Sequence, residues 1–119
     1  MALEVRISEA GPLGTVAVLA PHGELDSQTV MHLEESLDVL LRTHAHAVVD
    51  LSPTRYVSSA GWRAFVRRAS LGADPRLKLA GMNSSVREVF DLLGLVHVLE
   101  AFPSVAEAVA SFPTAVRQP

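Results

Sequence analysis

Cysteine is absent from this chain, which excludes disulfide frameworks, thiolate zinc sites, iron–sulfur clusters and cysteine nucleophiles. No apolar run approaches the roughly 18 to 20 residues of a membrane span, and Met1-Ala2-Leu3-Glu4-Val5-Arg6 has neither the basic cluster nor the apolar stretch of a signal peptide. The expectation is a cytoplasmic protein without membrane insertion. Lysine occurs once, as Lys78, and neither Gly-x-x-x-x-Gly-Lys nor Gly-x-Gly-x-x-Gly is present, so the phosphate-cradling loops are excluded. The hydrolase pattern Gly-x-Ser-x-Gly is broken at Val57, and no histidine is placed by a motif to act as a base. His44 and His46 present two nitrogens on one strand face with no third ligand near them, too few for a metal. No enzyme, metal or cofactor is expected.

What is present suits a single core: 119 residues, 49% of them apolar and 19% charged. Residues 1–113 read as one domain and 114–119 as a frayed tail. The formal net charge of -3 argues against nucleic acid as a partner, because phosphate binding needs concentrated positive charge. That sum hides an asymmetry. Residues 1–50 hold eight acids against Arg6 and Arg42, and residues 51–119 hold five acids against eight bases. Arg55, Arg63, Arg67 and Arg68 crowd into fourteen of those positions, either as a solvated helix face or as a docking surface.

Alternating Leu3, Val5 and Ile7 predict a strand, and a Gly/Pro turn at 11–14 leads to a second strand over 15–20, an antiparallel hairpin. A loop over 21–26 then precedes a helix capped by Asp26 or Ser27, with Val30, Leu33, Leu37, Leu40 and Leu41 inward. Residues 45–51 form a third strand, buried on both faces. Ser58 or Ser59 caps a helix running to about Ser70, closed by Gly72 and Pro75. A strand at 77–80 and a helix capped by Asn83 or Ser84, with Val86, Val89, Phe90 and Leu93 inward, end at Gly94. A fifth strand is expected over 95–99, and Ser104 with Glu107 is a capping box for the last helix, to about Phe112. The fold class is α/β, an antiparallel hairpin followed by parallel strands, covered by about four helices. In such a sheet the strand-to-helix loops share one end, where open α/β sheets bind. Loops 23–26, 56–61 and 81–85 should therefore converge.

Two consecutive serines at the start of a helix are one more than capping requires. A phosphate added there would face free backbone N–H groups and the positive end of the helix dipole. Gly61 lets another backbone come close.

The segment Asp50-Leu51-Ser52 through Tyr56-Val57-Ser58-Ser59-Ala60-Gly61, preceded by Gly23-Glu24-Leu25-Asp26 and followed by Val86-x-x-x-Phe90-x-x-x-Gly94-Leu95, resembles a STAS domain of the anti-sigma factor antagonist type. The resemblance covers nearly the whole chain and implies a STAS-like mixed sheet. It implies a bacterial regulator of transcription that binds an anti-sigma factor of the GHKL serine-kinase type, is inactivated when that kinase phosphorylates it, and is reset by a serine phosphatase. It places the phosphoacceptor on Ser59, with Ser58 the weaker alternative, keeps the Ser-x-Gly glycine at Gly61, and matches Asp26 to the acidic residue of the neighbouring loop. The partner surface it implies comprises Glu24, Asp26, Ser58, Ala60, Gly61, Trp62, Arg63 and Arg67. Ser58 stands where several antagonists have an acid, and Trp62 where an aliphatic residue is usual; Trp62 is either core or an exposed anchor. The same fold also serves accessory subunits of lipid-transport ABC complexes and stressosome-like scaffolds, which are the alternative readings. A doubly charged phosphate about 8 Å from one carboxylate would feel a repulsion of roughly 4 kcal/mol at an effective dielectric near 20.

Overall fold

The computed structural model describes residues 3–69 and 76–113. The expected helix closure at Gly72 and Pro75 and the tail over 114–119 lie outside the described residues. Ten elements carry the architecture: β1 (Glu4–Ala10), β2 (Val16–Leu25), α1 (Val30–Thr43), β3 (His46–Asp50), β4 (Thr54–Val57), α2 (Ser59–Ala69), β5 (Leu77–Ala80), α3 (Ser84–Leu92), β6 (Ala101–Phe102) and α4 (Val105–Ser111). The strands form one six-stranded sheet in the order β1-β2-β3-β5-β6, with β4 also on β2. β1 and β2 are antiparallel, and every other pairing is parallel. This is the mixed sheet expected from the order of the sequence signals.

Side-chain alternation along the strands divides two cores. Ala17, Leu19, Ala47, Val49, Leu77 and Leu79 face Leu33, Leu37, Leu40 and Phe65 of α1 and α2, while Val16, Val18, Val48 and Ala80 face Ala108 and Phe112 at α4.

Five segments differ from the sequence reading. Residues 54–57 form β4, so Tyr56 and Val57 end a strand and do not open the 56–61 loop, and residues 101–102 form β6 where no strand is expected; pairing with β2 and β5 holds these short runs extended. Residues 21–25 are not a loop; they extend β2. The extension changes neighbour midway, because residues 16–19 pair with β3 and residues 23–25 with β4. Pro21 falls at that changeover, where a missing N–H does little harm, and the Thr54 hydroxyl donates to its carbonyl at 2.7 Å. The run at 95–99 is a 3-10 turn, Leu95–His97, and not a strand. Gly94 ends α3 in the left-handed region at φ 67°, and Leu99 N then donates to Leu95 O at 2.8 Å, so the two leucines face inward four residues apart. Of the residues expected inward on α3, Val86 and Phe90 are buried, but Val89 and Leu93 are 38% and 59% exposed. Only a narrow stripe of α3 meets the core at the rim of the sheet.

The expected cap of the first helix by Asp26 or Ser27 is displaced: Thr29 stands at the N-cap without a side-chain bond, and Asp26 Oδ1 instead closes the turn before the helix, accepting from Gln28 N at 2.9 Å and Thr29 N at 3.1 Å. Asn83 Oδ1 accepts from Val86 N at 2.9 Å, and Ser104 Oγ from Glu107 N at 3.2 Å. Arg76 closes α1 from outside, donating to the carbonyls of Leu41, His44 and Ala45.

Lys78 is the charged residue inside this packing, 6% exposed on β5. Its Nζ lies 2.9 Å from both Glu100 Oε1 and Ser111 Oγ and 4.3 Å from the centre of the Phe112 ring, so the cation sits at the C-terminal end of α4. Replacing Lys78 by Met, which keeps the volume of the stem, is expected to change stability by less than about 1 kcal/mol. Lys78→Ala should cost about 2 kcal/mol, near 10 °C in Tm by calorimetry. Equal losses in both variants would show that the charge, and not the stem, holds that face.

Candidate functional site

Parallel pairing of β2 with β4 sets Glu24 beside Tyr56 and Leu25 beside Val57, so the chain leaves both strands at the same edge. There Ser58 N donates to Leu25 O at 2.7 Å. Asp26 and the first turn of α2 are thereby neighbours, and the third loop joins them through Asn83 Nδ2, which donates to Thr54 O at 3.0 Å. The convergence expected from topology is present.

Gly61 explains how closely α2 approaches. A Cβ at that position would lie 2.8 Å from Val57 Cγ1 and 3.2 Å from Leu25 Cβ. The helix starts against the end of β2, and only a residue without a side chain fits.

The two serines are not equivalent. Ser58 occupies the position before the helix, its carbonyl accepting from Trp62 N at 3.0 Å, yet its Oγ is buried without a hydrogen-bond partner. It makes no capping bond. Ser59 is the first residue of α2 and is exposed. Ala60 follows it, half-buried. The amides of the first helical turn have no acceptor within the helix.

Trp62 takes the core alternative. It is 3% exposed, with ring centroids 6.0 Å from Phe65 and 5.8 Å from Phe90, and its Nε1 is also buried without a partner. It is therefore not an exposed anchor.

The arginines divide as well. Arg67 donates to Glu34 at 2.8 Å, and Arg68 reaches Asp38 Oδ1 at 2.9 Å and Glu34 at 3.2 Å, so these two hold α2 against α1. Arg55 lies 3.7 Å from Glu24. Arg63 is exposed and, among the described residues, pairs with no carboxylate. His44 Nε2 lies 2.7 Å from the accepting Glu9 Oε2, while His46 stacks on Phe112 at 4.2 Å. Among the described residues no group of three metal-ligating side chains occurs.

Two surface features had no signal in the sequence. A cleft of about 210 Å³ is lined by Leu3, His22, Glu24, Asp26, Thr29 and Arg55, among others. A notch of about 40 Å³ lies between Tyr56, Trp62, Ser85 and Val89. Tyr56, 51% exposed, and Val89 give that notch its apolar surface. Both follow from which strand and helix become neighbours, and neither stands out by periodicity.

Residues 9–108 match the family model described as the STAS domain. No curated protein matches the chain. Among solved structures, an anti-sigma factor antagonist from Mycobacterium paratuberculosis is similar with a TM-score of 0.79 and 20% identity, covering 92% of each chain. The anti-sigma factor antagonist SpoIIAA in its unphosphorylated form has a TM-score of 0.67 and 17% identity over 89% of this chain and 93% of that one. The phosphorylated form of the Bacillus cell fate determinant SpoIIAA has a TM-score of 0.57 and 16% identity, covering 90% and 97%. These likenesses are likenesses of fold.

Substituting Gly61 by Ala is expected to destabilise the protein by about 1 to 3 kcal/mol in chemical denaturation, through forced displacement of Val57 and Leu25. Ser58→Ala is expected to leave stability unchanged or raise it by up to about 1 kcal/mol, since it removes an unpaired buried hydroxyl. A loss of about 1 kcal/mol, the ordinary worth of an N-cap serine, would show that the hydroxyl caps the helix in solution.

Proposed function

The chain belongs to the STAS domain family, a family of binding modules and not of enzymes, and we propose that it is a bacterial anti-sigma factor antagonist acting in the cytoplasm through partner switching. The partner is an anti-sigma factor that is also a serine kinase of the GHKL type. The switch is phosphorylation of Ser59, reversed by a serine phosphatase.

The observation that carries this reading is the contrast between the serines. Ser59 is exposed on the first turn of α2, whereas the Ser58 hydroxyl is buried where a kinase does not reach it. In the transfer, the γ-phosphorus of a nucleoside triphosphate forms a bond to Ser59 Oγ and its bond to the β-phosphate oxygen breaks. The hydroxyl proton passes to a base on the kinase, and the nucleoside diphosphate leaves.

The surroundings fit a regulated interface. Exposed Tyr56 and Val89 supply apolar contact, and Glu24, beside Tyr56 in the sheet, supplies charge at its edge, as in an interface with an apolar centre and a charged rim. Phosphate adds about -1.5 to -2 charges next to the Glu24 and Asp26 loop. Even 1.5 to 3 kcal/mol of surviving repulsion weakens a complex about ten- to a hundredfold, with no refolding. That no helix among the described residues is long and apolar enough to cross a membrane is compatible with this reading. Trp62, Ala60 and Gly61 belong to the site by shaping it from beneath.

Capture of partners from the native host, followed by mass spectrometry, should recover a serine kinase of this type as the main partner. An ABC-transporter ATPase in its place would support the lipid-transport reading and overturn this one. Incubation with that kinase and labelled ATP should modify the parent and leave Ser59→Ala unlabelled; equal labelling of both would move the acceptor elsewhere. Arg63→Glu is expected to weaken binding of the unmodified chain about tenfold and to flatten its salt dependence. Arg67→Glu, by setting a second carboxylate against Glu34, should lower stability as well as affinity.

A further inference from the structure

We propose that Arg63 is a clasp for the modified serine, serving as a docking cation while Ser59 carries a free hydroxyl and folding back onto the phosphate once Ser59 is phosphorylated. The inference rests on the phosphoswitch reading above and deepens it. Modification then acts twice, adding negative charge and withdrawing a positive anchor from the partner.

Two observations carry it. First, Arg63 follows Ser59 by four residues within α2, which makes the two side chains neighbours on one helix face. The acid on the N-terminal side of the base is the favourable order. Second, Arg63 is uncommitted where the surrounding arginines are not. Arg67 and Arg68 are held by Glu34 and Asp38, Arg55 by Glu24, and Arg87 by Asp91 at 3.1 Å. Among the described residues Arg63 gives up no ion pair when it turns toward Ser59. Arg67 is two turns from the acceptor and already engaged, so it does not compete.

The chemistry matches. A phosphate presents three strong acceptor oxygens, and a guanidinium offers parallel N–H donors in a planar fork. In the unmodified chain the Ser59 hydroxyl carries no charge and gives the guanidinium no reason to leave solvent or an acidic partner. A lysine at position 63 would supply charge without the fork.

The test places phosphoserine at position 59 of the full chain during translation, so no kinase is required, and follows the phosphate by 31P NMR through its second ionisation, ordinarily near pH 6. Arg63 stabilises the dianion. The ionisation in the parent is therefore expected at lower pH than in Arg63→Gln, by about a twofold change in proton affinity or roughly 0.3 pH unit. Arg63→Lys should recover part of the difference. Because both variants keep the same helix terminus, that contribution cancels. The Arg63 Nε–H resonance should also move on phosphorylation and be retained to higher temperature. Coincident phosphate titrations in the parent and Arg63→Gln, or an unmoved Arg63 resonance, would overturn the clasp while leaving the phosphoswitch standing. Failure of the kinase to label Ser59 would overturn the switch without touching this result.

Discussion

The first turn of α2 rests against the end of β2 with no space for a side-chain carbon between them, and the rest of the site depends on that contact. Gly61 supplies the clearance. With it, Ser58 N reaches the Leu25 carbonyl, Asp26 is brought beside the helix start, and Ser59 is turned to the outside. Trp62 is driven inward on the next face, against Phe65 and Phe90. Any side chain at position 61 must lift the helix away from the sheet, and all four placements loosen together. A packing constraint at one backbone position thus sets the geometry of a surface that would be regulated by charge.

The electrostatics are built from the same joint. The formal charge of -3 is the sum of an acidic first half and a basic second half, and the fold brings them together across α1 and α2. Glu34 and Asp38 take Arg67 and Arg68. The Arg67 pair is exposed on the arginine side and is worth about 0 to 1 kcal/mol, while Arg68 is largely covered; together they chiefly orient α2 on α1. These pairs engage Arg67 and Arg68 and, among the described residues, leave Arg63 without a carboxylate. Of the four clustered arginines, two brace α2 against α1, one lies against Glu24, and Arg63 is left as a solvated helix face would leave it, exposed and with no carboxylate partner among the described residues.

Much of the fold was legible in the chain. The strand at β1, the both-faced apolar run of β3, the spacing of Leu33, Leu37 and Leu40, and the caps at Asn83 and Ser104 are local signals, and the structure has each of them. The misreadings share a cause. Residues 21–25 look like a loop because Pro21 and Gly23 are poor strand residues, yet pairing with β1 on one side and β4 on the other holds them extended. The run at 95–99 is short and apolar, and a strand and a 3-10 turn bury Leu95 and Leu99 equally well; the left-handed Gly94 decides for the turn. Val89 and Leu93 repeat at a helical period but lie beyond the edge of what α3 covers.

The same division runs through the site. By itself the sequence determined the fold class, the convergence of three loops at one sheet edge, and a serine pair followed by a glycine at a helix start. These follow from periodicity, chain order and turn chemistry, which act over a few residues. Only the tertiary structure decided that the Ser58 hydroxyl is buried and Ser59 exposed, that Trp62 is core, and that Arg67 is committed while Arg63 is free. Each of these depends on contacts made across the fold: α2 against β2, α2 against α1, and Trp62 against Phe90. No local pattern encodes which neighbour a side chain will meet, and at this surface the neighbours separate a structural arginine from one available to a partner.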